Sequence, residues 1–304
     1  MSYFLQSIVD GASLGSIYAL IALAIGFVFG ILRLINFTQS DYITYCAYAL
    51  IIPSTAAMPA LFIGAWPAAL MVISVLLIGV VLALLTERFA FRAIRDAEPE
   101  ILLISSFATS YLLQHILMAV YSTRPKSVSI GNWLGEPVAF AGLRVPLIQL
   151  VTLGVTGAAL IALVAMLRYT EFGIKIRAAA ENYRMARLLG VRANAVIAGC
   201  FAISGLIGGA VSLLLVAQTG SLDILMGVSP VIIAFFATVI GGMGSLMGAV
   251  LGGFLVGMVS QLLQAYLPGE AREFRDAFLF AFTILVLIAR PNGLIASSAI
   301  GQRT

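Results

Sequence analysis

The chain has 304 residues, of which 62% are hydrophobic and only 10% charged, with a formal net charge of +4 and a mean hydropathy of +1.09. An average soluble domain carries about 25% charged residues, so this composition excludes a soluble enzyme, a disordered protein and a nucleic-acid-binding domain. The pI of 9.2 is not carried by a basic patch interleaved with aromatics, and in a membrane protein it reflects Lys and Arg gathered on the cytoplasmic side.

The 22 residues between Asp10 and Arg33 contain no Asp, Glu, Lys or Arg. As a helix they would reach about 33 Å, enough to cross a hydrocarbon core of about 30 Å. No Lys or Arg precedes Arg33, so the positive n-region of a cleavable signal is missing. A polar cluster follows: Asn36, Thr38, Gln39, Ser40 and Asp41. Two readings stand for it. One is an ordinary loop at the membrane surface. The other is an unwound or re-entrant stretch lining a path, since irregular backbone at membrane depth is tolerated only where protein or a water-filled cavity satisfies it. Its place just after Arg33 points to the cytoplasmic mouth.

From Tyr42 to Thr86 lie 45 charge-free residues, too many for one span. Pro53, Pro59 and Pro67 divide them into two predicted helices, near 42–63 and 66–86. The loop 87–100 carries Arg88, Arg92 and Arg95, and Ile101–Thr123 and Pro146–Leu167 are one span each. Gln114 beside His115 reads as an interhelical hydrogen-bonding pair before a proton relay. The loop 168–192 is helix-prone from Ile174 to Leu189, and Gly190 is a natural stop. Ile176, Ala179, Ala180, Tyr183, Ala186 and Leu189 recur at three- and four-residue steps and give it one apolar face. It is either an interfacial helix lying on anionic lipid or a docking helix for a cytoplasmic partner.

Ala193–Leu222 is a further span, with Asp223 solvated at its outer end. The run Ile224–Gly269 holds two segments broken around Gly241-Gly242-Met243-Gly244, the first of which (227–242) is the shortest of all. A charged outer loop, Glu270–Asp276, precedes the last span near Ala277–Ile295. Nine hydrophobic segments thus predict an all-α polytopic transmembrane bundle of about eight or nine spans, including possible half-helices. It forms a single transmembrane domain over 1–304 with a cytoplasmic loop at 168–192. Glycines four apart, such as Gly11 and Gly15, Gly205 and Gly209, and Gly253 and Gly257, predict close helix packing, within the chain or against a second subunit.

Orientation follows from Lys and Arg. If all nine segments cross, 12 of the 17 lie on the side of the loops 87–100 and 168–192. That side is then cytoplasmic, the N-terminus is outside and the C-terminus is inside. Cys46 and Cys200 lie in apolar runs, and there is one histidine, so neither a disulfide framework nor a metal site is expected. No nucleophile–base pair is apparent, so no catalytic residue is assigned.

Four segments in order resemble one family. Tyr18–Asp41, with its Leu34-Ile-Asn-Phe37 step, resembles the first-helix signature of the permeases of branched-chain amino acid ABC importers, the LivH type, which also includes urea and amide permeases. Arg177–Gly190 resembles that family's coupling segment, and Ile240–Gly253 and Arg290-Pro-Asn-Gly-Leu294 fit its pattern. The resemblance covers most of the chain. One departure is Thr38-Gln39-Ser40, where the family often has Ala-His-Gly; if that turn touches substrate, the ligand differs from the commonest one.

The resemblance implies a permease subunit in the bacterial inner membrane that moves a small polar solute, foremost branched-chain or aliphatic amino acids, with urea or short amides as the alternative. The implied partners are cytoplasmic ATPase subunits, a homologous second permease (LivM-type) or a second copy, an extracytoplasmic substrate-binding protein and membrane lipid. No cofactor is expected on this chain. It has no Gly-x-x-x-x-Gly-Lys-Ser/Thr, so ATP belongs to a partner. Arg177, Ala180, Glu181, Ala186, Leu189 and Gly190 are the candidate contacts to the ATPase. Asn36, Phe37, Gln39, Asp41, Gly241, Gly242 and Gly244 are the candidate path residues. A self-sufficient channel or secondary transporter is the competing class, and the lack of a carboxylate inside the charge-free runs argues against proton coupling.

Overall fold

The computed structural model describes residues 2–32, 36–94, 97–130, 135–140, 143–181, 183–290 and 293–295. The chain divides into two compact units. One comprises Met1–Gly26, Gly131–Leu163 and Ile232–Thr304; the other comprises Phe27–Ile130 and Val164–Val231. Among the described residues six helices are long and apolar enough to cross a membrane: Phe4–Gly30 within α1 (Ser2–Leu32), Ala68–Ile94, which is α3 (Ala68–Thr86) running on through a π-turn, Glu100–Tyr121 within α4 (Pro99–Tyr121), α5 (Leu147–Tyr169), Asn194–Thr219 within α8 (Ala193–Thr219) and α10 (Leu246–Tyr266). Three more are short: α2 (Gln39–Tyr48), α9 (Val228–Gly241) and α11 (Arg275–Ala289). With 14 residues, α9 reaches about 21 Å, short of a hydrocarbon core of about 30 Å. The loop between α5 and α8 holds α6 (Glu171–Glu181) and α7 (Tyr183–Leu188).

The helix expected over 42–63 is not formed as such. It starts earlier and stops after ten residues, at Tyr48. Pro53 disfavours helical backbone at the residue before it, and Pro59 and Pro67 recur too soon for a new helix. The chain instead runs irregularly, closing on itself through an Ile51–Leu61 bridge and a bond from Ile52 N–H to the Ala60 carbonyl. The other boundaries fall near the expected ones. Pro67 precedes α3, Pro99 opens α4, and Gly220, with φ +61°, ends α8.

In the second unit, α3 and α8 touch backbone to backbone. A Cβ on Gly205 would lie 2.2 Å from the Gly79 carbonyl oxygen, and one on Gly79 would lie 2.4 Å from that of Gly205. Gly205 thus packs within the chain, the first of the two roles its spacing left open. Against this pair sits α2: the Cys46 thiol bonds the Val75 carbonyl at 3.5 Å, and Gly208 lets Tyr42 approach. Next comes α4, where the Tyr45 hydroxyl donates to the Leu113 carbonyl at 2.8 Å.

The two ends of this unit differ in charge. At one end, β1 (Lys126–Ser127) pairs with β4 (Ser221–Leu222). The buried Lys126 ammonium donates to the Ser54 and Ala56 carbonyls at 2.6 and 2.9 Å, stapling the irregular 49–67 stretch to the strands. The other end gathers the π-turn Glu87–Phe91, the start of α4 through Ser105, and α6, whose Phe172 ring fills the space beside Gly199. Arg88, Arg92, Arg168, Lys175, Arg177 and Arg192 belong to this second end, against Arg124 and Lys126 at the first.

In the first unit, α1 and α10 pack along their glycines. A Cβ on Gly257 would lie 2.3 Å from Gly15 Cα, and one on Gly253 2.5 Å from Ala19 Cα. On another side of α1, Gln149 of α5 donates to Asp10 at 2.8 Å and the Thr156 hydroxyl donates to the Ser16 carbonyl at 3.3 Å. The strands β2 (Pro137–Phe140) and β3 (Leu143–Pro146) form a hairpin before α5.

The α3–α8 seam predicts its own test. Gly205→Val forces two backbones apart and is expected to cost about 3 kcal/mol, the upper part of the overpacking range. Gly154→Ala, on a helix face with nothing within 4 Å, is expected to be neutral or slightly stabilising. Thermal unfolding of the purified chain in detergent measures both, and an unchanged Tm in Gly205→Val would remove the seam as the anchor of this unit.

Candidate functional site

The polar cluster at 36–41 is not a surface loop. Asn36, Thr38, Gln39, Ser40 and Asp41 are all buried, none more than 4% exposed, and from Gln39 onward they form the first turn of α2. The expectation of a cytoplasmic mouth is also corrected. The partners of the cluster lie midway along their helices, at Ser204 of α8 and at Phe107, Ser110 and Gln114 of α4.

A short helix starting inside a membrane protein must satisfy its first N–H groups from its own chain. Here Asn36 Oδ1 accepts from Thr38 N–H at 3.1 Å. The Asn36, Phe37 and Thr38 carbonyls accept from Gln39, Ser40 and Asp41 in turn. The Thr38 hydroxyl bridges Asn36 Oδ1 and the Tyr42 hydroxyl, which reaches Thr86 Oγ1 at 2.5 Å. Gln39 is gripped twice by α8: its Nε2 donates to the Ser204 carbonyl at 3.2 Å, and Ser204 Oγ donates to its Oε1 at 2.5 Å.

Beside this turn begins the second short helix. A Cβ on Gly227 would lie 2.2 Å from the Ser40 carbonyl oxygen, and Gly227 immediately precedes α9. Two short helices therefore start at the same polar cluster, the arrangement by which discontinuous membrane helices present their N-termini to a polar solute. Phe37 stacks on Phe107 of α4 with ring centroids 4.1 Å apart. Asn36 Nδ2 and Asp41 Oδ2 are buried without a hydrogen-bond partner.

The glycine candidates Gly241, Gly242 and Gly244 make the turn between α9 and α10, in the first unit. Gly242 and Gly244 have φ of +107° and +93°, values an L side chain rarely adopts. Gly241 packs against Gly248 of α10, and Ser245 caps α10 by accepting from Gly248 N–H at 3.1 Å. The last carbonyls of α9 face the chain's own tail rather than open space: Leu294 N–H donates to Ile240 at 2.8 Å and Ile295 N–H to Gly241 at 3.1 Å. Two of the motif segments thus close on each other.

In the loop between α5 and α8, the expected helix forms as α6 and α7, and Gly190 ends it with φ +87°. The face expected to be apolar splits. Ile176, Ala179 and Ala186 are buried, turned into their own unit because Phe172 pins α6 to α8. Leu189 is not on that side; it is 79% exposed, beside Leu188 at 82%. Arg177 is exposed, and the side chains of Ala180 and Glu181 lie outside the described residues. Among the described residues no group of three or more His, Cys, Asp or Glu could hold a metal.

Sequence reasoning missed Ser110, Ser204, Thr86 and Gly227 as parts of the site. Isolated hydroxyls and glycines are ordinary inside membrane helices, so none stood out before the fold placed it beside 36–42.

Comparison with known proteins identifies the family. The chain is 33% identical over 297 residues to the high-affinity branched-chain amino acid transport system permease protein LivH of Salmonella typhimurium, covering 96% of both chains. It is 31% identical over 303 residues to BraD, the corresponding permease protein of Pseudomonas aeruginosa, again covering 96% of both. A probable branched-chain amino acid transport permease of Methanocaldococcus jannaschii is 28% identical, covering 93% of this chain and 88% of its own. Residues 7–287 match the family described as branched-chain amino acid transport system, permease component. With six helices able to cross a membrane and a match over nearly its whole length, the chain belongs to the permease-component family of branched-chain amino acid transport systems.

Proposed function

We propose that this chain is a membrane-spanning permease subunit of an ATP-driven importer, moving branched-chain or aliphatic amino acids delivered by an extracytoplasmic binding protein. The observation that carries this is the likeness to LivH and BraD over 96% of the chain. ATP binds and is hydrolysed on separate cytoplasmic subunits, and the path is completed by a homologous second permease or a second copy. The names of these relatives favour amino acids over urea or short amides.

The charge difference between the two ends of the second unit supports placing the end with Arg88, Arg92, Lys175 and Arg177 in the cytoplasm. The N-terminus is then outside and the C-terminus inside. In this orientation α6 and α7 meet the ATPase. Because Ala186 is used internally, the surface offered to the partner is the exposed Leu188 and Leu189, with Met185 and Ile174 and the Arg177 charge. Closure of the ATPase dimer would push on this loop. The pinned Phe172 would pass the push to α8, and so to α2 through Gln39.

Two measurements test this. Membranes containing this chain with its ATPase and binding-protein partners are expected to accumulate leucine only when ATP is present, and uptake by this chain alone in liposomes would exclude an ABC permease. Leu188→Asp combined with Leu189→Asp is expected to weaken ATPase co-purification about tenfold or more, as loss of a central apolar anchor does, with membrane insertion unchanged. Ala186→Glu buries a charge and is expected to lower the stability of the loop itself. Full ATPase association in the double variant would remove the docking assignment.

A further inference from the structure

The two side-chain atoms left without partners at the start of α2 are of opposite sense. Asn36 Nδ2 can only donate, and the Asp41 carboxylate oxygen Oδ2 accepts. Asn36 is 3% exposed and Asp41 1%. Ser110 and Gln114 of α4 serve the other side of the Asp41 carboxylate. Among the described residues Asp41 makes no ion pair. It sits in the first turn of α2, and a carboxylate this deep in a membrane protein calls for a cationic partner. Asn36, whose other amide atom already organises the turn, has a donor left over at a helix N-terminus, where anionic groups are favoured.

An acceptor that needs a cation and a donor suited to an anion, five residues apart around the start of one helix, are the complement of a zwitterion. We propose that Asp41 and Asn36 form a transit site for the headgroup of the passing amino acid: Asp41 Oδ2 accepts from its ammonium and Asn36 Nδ2 donates to its carboxylate. This rests on the reading of the chain as an amino acid permease.

The wall that opens is α4. The α2–α8 contact is fixed by the double grip on Gln39, and α3–α8 by backbone touching backbone. The polar contacts of α4 with α2 include the Tyr45 bond to the Leu113 carbonyl, the Tyr121 hydroxyl's bond to the Tyr48 carbonyl at 3.4 Å, and Ser110 and Gln114 beside Asp41, all of which water or solute can replace. The outward face of α4 also carries Tyr111, 65% exposed, stacked on His115. The exposed residues of α3 (Leu70, Ile73, Leu77, Val81) are aliphatic, as a face against acyl chains should be.

The test uses the whole importer in native membranes. Asp41→Asn is expected to lower leucine uptake about tenfold or more, the scale of a lost hydrogen bond to a charged group, with subunit assembly unchanged and Asp41→Glu retaining more uptake than Asp41→Asn. Leucine uptake by Asp41→Asn within about twofold of wild type, below the effect of any such lost bond, would overturn the proposal. If Asp41→Asn fails to assemble, labelling of wild-type Asp41 by an apolar carbodiimide during turnover decides, with sodium replaced by choline. Slower labelling in the presence of leucine supports the site. Equal rates with and without leucine, or protection by sodium chloride alone, overturn it. If the wild-type importer takes up no leucine at all, it is the assignment of function that fails, before Asp41 is in question.

Discussion

A helix that begins inside a membrane protein has to find partners for its first N–H groups without water, and that requirement shapes the second unit. At the start of α2 the carbonyls of Asn36, Phe37 and Thr38 turn back onto the following residues, and Asn36 Oδ1 takes the Thr38 N–H. The polar side chains that do this are themselves expensive to bury, so each needs a neighbour on a surrounding helix. Gln39 finds Ser204, Tyr42 finds Thr86 and Asp41 finds Ser110 and Gln114. The helices around α2 are thus specified by hydrogen bonds in its first turn, and its later turns, at Cys46, Ala47 and Tyr48, are packed by apolar contact.

The close approach of α3 and α8 serves the same end. With glycine at 79 and 205 the two backbones touch directly, and a large side chain such as Tyr42 lies fully buried beside them. Dispersion across such a contact is large because many atoms meet at van der Waals distance. It also makes α3 and α8 a stiff pair. Movement delivered to α8 at Phe172 and Gly199 is then carried as a rigid-body shift rather than absorbed locally.

Short helices are costly in a bilayer because both ends lie near apolar surroundings, and the chain closes the end of α9 from within. The carbonyls of Ile240 and Gly241 would be orphans; Leu294 and Ile295 supply the missing N–H groups. The Gly242–Gly244 turn and the residues after Arg290 are therefore one structural device, although almost fifty positions separate them in sequence.

Much of this was legible in the residues. Charge-free runs between charged loops gave the long spans, because a bilayer tolerates few charges and a crossing helix has a fixed length. Gly190 and the Gly241–Gly244 break marked helix ends, because a positive φ favours glycine. The face of the cytoplasmic helix was half right: periodicity shows that one side is apolar, but Ala186 points inward and Leu189 outward because α8 already covers the small-residue side. The depth of Asn36–Asp41 was not legible. Sequence places these residues next to Arg33, and only the packing of the helices puts them midway along α4 and α8. Local chemistry determined which segments cross and where they stop. Tertiary structure decided which buried polar atoms found partners and which, Asn36 Nδ2 and Asp41 Oδ2 among them, did not, because hydrogen bonding between helices depends on register that no single segment encodes.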